Sequence, residues 1–417
     1  MRLSGTFKPP GDKSMSHRIA LLSLLAKGEC VVSNYSTAQD CMTSVHAVNA
    51  LGGGAVFSGE DLNLSNNGRI LKDSVHVDCG NSGTTMRLLM GILAGVSGRF
   101  ILWGDDSLMK RPMERVAKPL RAMGAKISCD PGGTPPVTIE GSELRGIDYR
   151  LPVASAQLKS ALLIAGVEAE GLTRITEPVK SRDHTEYMLG MFGANICFES
   201  GVWSVRKSAM ELPSVFSVPG DPSSAAFFLC GAAMLEGSEV TAEEILLNPT
   251  RVRFLDKLKE MGAQIEVQIA GDSPEPWGSV RSVYAGKLSP CKVASEELPL
   301  LVDEVPILAL LATQANGVSV FEEIGELRIK ESDRVAALVS ELGKLGARLE
   351  IDGPNLLIYG PTKLRATDEL ESFGDHRIAM TLAIACGLIG EDVPIRDMSC
   401  VSISYPDFFE TLKELTL

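Results

Sequence analysis

The sequence predicts an α/β (α+β) chain of two domains, each built from three copies of one unit, and three observations carry that expectation. One kind of helix opening, small or polar residues followed by about three apolar turns, occurs six times at intervals of roughly 70 residues. A glycine follows a large apolar residue at Leu51-Gly52, Met123-Gly124, Phe192-Gly193, Met261-Gly262 and Leu345-Gly346, each time after an amphipathic stretch and before a β-like one. The strand-like run Met1–Phe7 precedes the first opening, while the sixth copy runs into Phe408-Phe-Glu-Thr-Leu-Lys-Glu-Leu415 without a hairpin.

In chain order the openings are Gly11-Asp-Lys-Ser-Met-Ser-His-Arg18, Gly80-Asn-Ser-Gly-Thr-Thr-Met-Arg87, Ser155-Ala-Gln-Leu-Lys-Ser160, Gly220-Asp-Pro-Ser-Ser-Ala-Ala226, Asp303-Glu-Val-Pro-Ile307 and Asp375-His-Arg-Ile-Ala-Met380. Each offers a polar N-cap type, and each is followed by Ala, Leu and Gly on all helical faces, as a helix buried within its domain requires. Glycine at the five later breaks suits the left-handed residue that ends a helix. The stretch Ala347-Arg-Leu-Glu-Ile-Asp-Gly-Pro-Asn-Leu-Leu-Ile-Tyr359 alternates in twos around turn residues and reads as a hairpin. The unit is therefore buried helix, strand, amphipathic helix, hairpin. The N-terminal strand is expected to complete the last unit's sheet, which gives a middle domain of residues 14–218 and a second domain of residues 1–13 with 219–417. Two crossover segments, near Lys13 and Pro219, would join them, and domain interfaces favour ligand clefts.

Composition narrows the function. A chain of 417 residues with 45% hydrophobic content can fill two or three cores. Its apolar runs are interrupted, as by Asp303, Glu304 and Pro306, so no membrane span is expected, and Met1 leads into a strand with no signal peptide. A net charge of −13 and 5% aromatic residues argue against nucleic acid and anionic membranes as partners. Nine cysteines, none in a C-x-x-C pair, argue against a zinc site and fit a reducing cytoplasm.

Against that acidic background the first opening stands out. Pro10 and Gly11 break the preceding strand, so Lys13, Ser14 and Ser16 fall in the first helical turn, where free N–H groups and the helix dipole favour an anion. Taken alone, a capped helix explains the same residues better.

Several motifs in order decide between these. Gly11–Arg18, Gly80–Arg87, Lys110-Arg-Pro-Met113, Ser155-Ala-Gln157, Gly220-Asp-Pro-Ser-Ser224, Lys330-Glu-Ser-Asp-Arg334 and Asp375-His-Arg377 together resemble the 5-enolpyruvylshikimate-3-phosphate synthase family over nearly the whole chain. The resemblance implies a two-domain inside-out barrel of six βαβαββ repeats with a double crossover. It also implies transfer of the enolpyruvyl group of phosphoenolpyruvate to shikimate 3-phosphate with release of phosphate. No cofactor and no metal are expected, and a monomer is. Both substrates carry a phosphate and a carboxylate, which explains why the motifs hold Lys13, Arg18, Arg111, Lys330, Arg334 and Arg377 in an acidic chain.

Carried over by position, the resemblance places Lys13, Ser14 and Arg18 on the shikimate side, with Lys13 also reaching phosphoenolpyruvate. Ser155, Ala156 and Gln157 match the run that binds the 3-phosphate. Asn81, Gly83 and Thr84 match the loop that crowds phosphoenolpyruvate, where glycine permits close backbone approach. Arg111, Arg334 and Arg377 would clamp its phosphate and carboxylate, with Lys330 beside them. Asp303 matches the base near the 5-hydroxyl, and Glu331 with Lys13 would move the second proton. An N-cap role for Asp303 is compatible with this. His17 reads as an interior histidine satisfied by backbone, and His376 as support.

Departures from the family pattern are equally specific. Ala156 stands where some members have a second serine and Glu326 where others have asparagine. Val401-Ser-Ile-Ser-Tyr-Pro-Asp407 lacks a basic residue that some members place there, and Arg182 stands where serine or tyrosine contacts phosphate elsewhere. A sister transferase acting on UDP-N-acetylglucosamine lacks the Gly-Asp-Lys-Ser opening and usually carries a loop cysteine, which the 105–111 loop does not have. A P-loop reading of Gly11-Asp-Lys-Ser14 fails because Asp12 separates Gly from Lys. An idle binding protein that kept the same cleft remains a third reading at this point.

Overall fold

A computed structural model describes residues 1–68, 70 and 72–417. The chain divides into two compact units, residues 11–218 in one and residues 1–10 with 219–417 in the other.

In the unit 11–218, helices Lys13–Leu22, Gly83–Leu93 and Ala156–Glu168 pack together, and almost every residue past their first turns is buried. In the other unit helices Pro222–Met234, Val305–Ala312 and His376–Ile389 also pack together, with all eight residues of Val305–Ala312 buried and the last helix buried from His376 to Ala385. Burial on every face explains why these segments carry no polar stripe; truncating one such leucine to alanine typically costs about 2–5 kcal/mol. The polar openings act as caps. Asp12, Ser82, Ser155, Asp221 and Asp375 each accept a backbone N–H of the first turn. The fifth opening departs from this, because Glu304 at its N-cap makes no side-chain cap.

Amphipathic helices follow, such as Arg253–Glu260, which buries Phe254, Leu255 and Leu258. Gly52, Gly124, Gly193, Gly262 and Gly346 all take φ between 87° and 104°, the left-handed turn out of the helix that a β-carbon would strain. Each of the first five helix pairs then gives its hairpin to a sheet with a common plan. A central strand pairs antiparallel with the hairpin and parallel with a strand on its other side, as in the order Ser74–Asp78, Arg99–Trp103, Val137–Glu140, Lys126–Ser128. The sixth copy has only Leu370–Glu371 beside Ile395–Arg396, followed by helix Phe408–Leu415.

The N-terminal strand corrects one expectation. Ser4–Phe7 does not complete the sixth sheet; it adds parallel to Glu239–Leu246, the central strand of the fourth copy, with Ser4 opposite Glu239. It still meets the chain's other end, through the Leu3–Thr416 bridge, the Leu417 N–H bonded to the Arg2 carbonyl and packing against helix Phe408–Leu415. The reason is topological. Elsewhere the parallel strand comes just before its own buried helix, but Val215–Ser217, which precedes helix Pro222–Met234, pairs with Ala26–Ser33 of the first copy. The first and fourth copies have thus exchanged their parallel strands, an arrangement that no periodicity in sequence records.

Candidate active site

In the unit 11–218 the expected residues collect at the starts of the three buried helices. Asp12 caps the first helix by accepting the Met15 N–H at 2.8 Å, which leaves Lys13 and Ser14 in its first turn. The Lys13 ammonium pairs with the Asp40 carboxylate at 2.5 Å, both largely buried. Arg18, 3% exposed, donates through Nε to Thr185 Oγ1 at 2.7 Å, through Nη2 to Ser160 Oγ at 3.2 Å and through Nη1 to the Ser14 carbonyl at 2.9 Å. Its plane is therefore fixed by three separate elements. Arg182 lies in the loop before helix His184–Met191.

A second network ties the other two openings. Arg87 Nη1 donates to Gln157 Oε1 at 2.7 Å, and Gln157 Nε2 donates to Thr84 Oγ1 at 2.9 Å. Arg111 Nη2 donates to Asn81 Oδ1 at 2.6 Å, and Asn81 Nδ2 to Asp105 Oδ2 at 2.6 Å, while Asp105 also accepts the Leu108 N–H. Gly83 sits where these meet. A β-carbon there would lie 2.8 Å from Arg87 Nη1 and 3.4 Å from Arg111 Nη1. The close approach that demands glycine is thus already made by guanidinium groups of the protein itself. Ser155 caps the third helix through the Leu158 N–H, and Ala156 supplies no hydroxyl beside it.

Arg87 was not among the residues singled out from sequence. It closes the Gly80–Arg87 motif one turn beyond Gly83, and that spacing was the available signal. Asp40 was missed as well, since its partnership with Lys13 crosses between two helices. His17 is buried as expected, but its partner is a side chain rather than backbone. Its Nδ1 lies 2.8 Å from Ser44 Oγ, which lies 2.8 Å from Thr85 Oγ1. Burial, with Lys13 and Arg18 nearby, holds the ring well below the ordinary histidine range, so it is neutral.

The other unit assembles an ion network around Arg334. This guanidinium, on a residue 1% exposed, donates through Nε to Asp375 Oδ2 at 2.8 Å and through Nη2 to Glu331 Oε2 at 2.6 Å. Asp303 Oδ1 lies 3.7 Å from Arg334 Nη1 and 3.1 Å from Arg377 Nε, and the Asp303 carbonyl accepts from Arg377 Nη1 at 3.2 Å. Burial opposes the charge on Arg334, but the three carboxylates outweigh it and hold the guanidinium protonated. The N-cap position of that helix falls to Glu304, one residue past the Asp303 that the alternative reading named, and the Asp303 carboxylate reaches the two arginines.

Lys330 follows the short helix Ile324–Ile329, which contains Glu326. Burial, then repulsion from Arg334, lowers its ammonium to about 8, despite Asp303, Glu326 and Glu331. His376 is buried at the start of helix His376–Ile389. Among the described residues no cluster of His, Cys, Asp or Glu is arranged to hold a metal, and no helix is long and apolar enough to cross a membrane.

Two buried guanidinium networks, each fastened at helix openings, are the apparatus of a protein that handles small anions. The fold is shared with the enolpyruvyl transferase NikO from Streptomyces tendae, which superposes with a TM-score of 0.78 at 18% identity, over 99% of this chain and 95% of that one. The closer affinity is narrower. Residues 1–412 match the family model described as EPSP synthase (3-phosphoshikimate 1-carboxyvinyltransferase), and the chain belongs to that family. Relatives named 3-phosphoshikimate 1-carboxyvinyltransferase from Bacillus licheniformis and Bacillus subtilis are each 42% identical, over 99% of this chain and 97% of theirs. The EPSP synthase of Acinetobacter baumannii has a TM-score of 0.87 at 36% identity, covering 100% of this chain and 96% of that one.

Proposed function

We propose that this chain transfers the carboxyvinyl group of phosphoenolpyruvate to the 5-hydroxyl of shikimate 3-phosphate and releases phosphate, by addition and then elimination. Family membership over residues 1–412 is the single observation that carries the reading. The buried guanidinium networks supply its physical basis, because four anionic groups must be taken out of water together.

In this reading Ser155 and Gln157, with Arg18, Ser14 and Arg182, hold the shikimate 3-phosphate. Arg111, Lys13, Arg334, Arg377 and Lys330 hold phosphoenolpyruvate, with Asn81, Gly83, Thr84 and Glu326 at its edges. Asp303 takes the proton of the attacking 5-hydroxyl, a role supported by the two arginines that aim its carboxylate. Glu331, bonded to Arg334, delivers a proton to the methylene carbon, and Lys13 serves the proton transfers as phosphate leaves. The cations also balance charge that develops in the addition step. The protein acts as a monomer in the cytoplasm, for which nine free thiols are a suitable complement.

Phosphate release is the test. It is expected only when phosphoenolpyruvate and shikimate 3-phosphate are both supplied. Release with phosphoenolpyruvate alone, or none with the pair, refutes the assignment.

A further inference from the structure

We infer that Arg251, Ser223 and Glu304 form a buried positioning relay for the Asp303 carboxylate. The inference rests on Asp303 being the base of the proposed reaction. Glu304 is next to Asp303 in the chain, is 1% exposed, and opens helix Val305–Ala312. A carboxylate at that place ordinarily caps its own helix. Here it does not; its Oε1 accepts a hydrogen bond from Ser223 Oγ, in the first turn of helix Pro222–Met234. Ser223 Oγ in turn accepts from Arg251 Nη2 at 3.1 Å, and the same nitrogen donates to Asp221 Oδ1 at 3.1 Å. Asp221 caps that helix through the Ser223 N–H at 2.7 Å.

Arg251 is 1% exposed, among the largest fully buried side chains of the protein. A buried ion of this kind carries a desolvation penalty that an apolar side chain in the same space would avoid, so stability alone does not account for it. Its placement has a geometric consequence. Glu304 is anchored to one helix while the preceding residue is anchored to another, since Arg377 on helix His376–Ile389 binds both the carboxylate and the carbonyl of Asp303. Adjacent residues pulled in two directions leave the peptide between them a single orientation, and with it the Asp303 carboxylate. A misplacement on the order of 1 Å at a reacting group can lower a rate about 100-fold.

The test compares Ser223→Ala, Glu304→Met and Glu304→Gln, with Asp303→Asn as reference, in full-length protein whose folded fraction is measured for each. Glu304→Gln keeps the accepting oxygen and is expected to hold kcat within about threefold, whereas Ser223→Ala and Glu304→Met lower kcat about 10- to 100-fold with KM for both substrates within about threefold. In the Asp303→Asn background Glu304→Met is expected to cost no further rate, because there is no carboxylate left to aim. Unchanged kcat per folded molecule in Ser223→Ala, or losses that simply multiply in the double variant, overturns the relay. If Glu304→Met does not fold, Ser223→Ala with its own Asp303→Asn double variant decides by the same criteria. Full activity in Asp303→Asn would instead remove the base from the proposed mechanism, an outcome distinct from failure of the relay.

Discussion

Arg334 and Asp375 form a buried pair, Nε to Oδ2 at 2.8 Å, in which the carboxylate is fully enclosed and also caps the helix that carries Arg377. One aspartate therefore orients two arginines, the first through its side chain and the second through the backbone N–H of Arg377. Removing it by Asp375→Ala strips the buried guanidinium of its one fully enclosed partner, leaving Glu331 and Asp303 beside it, and leaves an uncapped helix. Denaturant unfolding is expected to show a loss of about 3–5 kcal/mol. A loss under about 1 kcal/mol would show that the pair does not hold this unit together.

If Lys330 holds phosphoenolpyruvate as proposed, the reaction is expected to have an alkaline limit. Its ammonium is lowered to about 8, and the neutral amine cannot attract an anion. The kcat/KM for phosphoenolpyruvate, which reports the free enzyme, is expected to fall about tenfold per pH unit above that value, and Lys330→Arg to extend the plateau beyond about pH 10. An unchanged limb in Lys330→Arg would assign it to another group. The sign for stability is opposite. Between about 8 and the ordinary 10.5 the unfolded chain keeps a proton that the folded chain has lost, so this group's contribution rises with pH there.

Gly83→Ala tests the packing of the two guanidinium groups against the helix opening. The added methyl meets Arg87 Nη1 at 2.8 Å, the far end of a side chain that can yield. The fold is expected to tolerate it at about 1–3 kcal/mol, while displacement of Arg87 disturbs Gln157 and lowers kcat/KM at least about tenfold. Wild-type kinetics in this variant would mean that the Arg87–Gln157–Thr84 arrangement has no part in binding.

His17 makes the unit 11–218 sensitive to acid. The folded ring stays neutral well below its ordinary 6.5, so as pH falls under that value only the unfolded chain gains the proton and stability declines by about 1.4 kcal/mol per pH unit. His17→Asn removes the titration while keeping a polar atom near Ser44. Stability measured from pH 7 to 5 is expected to fall less steeply in the variant, and parallel curves would count against this origin.

The repeat was legible because its signals are local. Polar caps, glycine ends and all-apolar helices each answer to their immediate neighbours along the chain, and five of the six openings cap as their residue types require. The cations of the site were legible only as family motifs, since a lysine or arginine in sequence does not reveal its partner. Asp40 with Lys13, Arg87 with Gln157 and Glu304 with Ser223 join residues 27, 70 and 81 positions apart.

By itself the sequence determined the unit, its number and the residue types gathered at each helix opening. Tertiary structure alone decided which sheet each parallel strand joins, so that Ser4–Phe7 lies beside Glu239–Leu246 and Val215–Ser217 beside Ala26–Ser33. It also decided which arginines the Asp303 carboxylate meets, Arg334 and Arg377. The physical reason is common to both. Strand pairing and buried ion pairing take their free energy from partners distant in the chain, and any of several similar strands or carboxylates satisfies the local pattern until packing selects one.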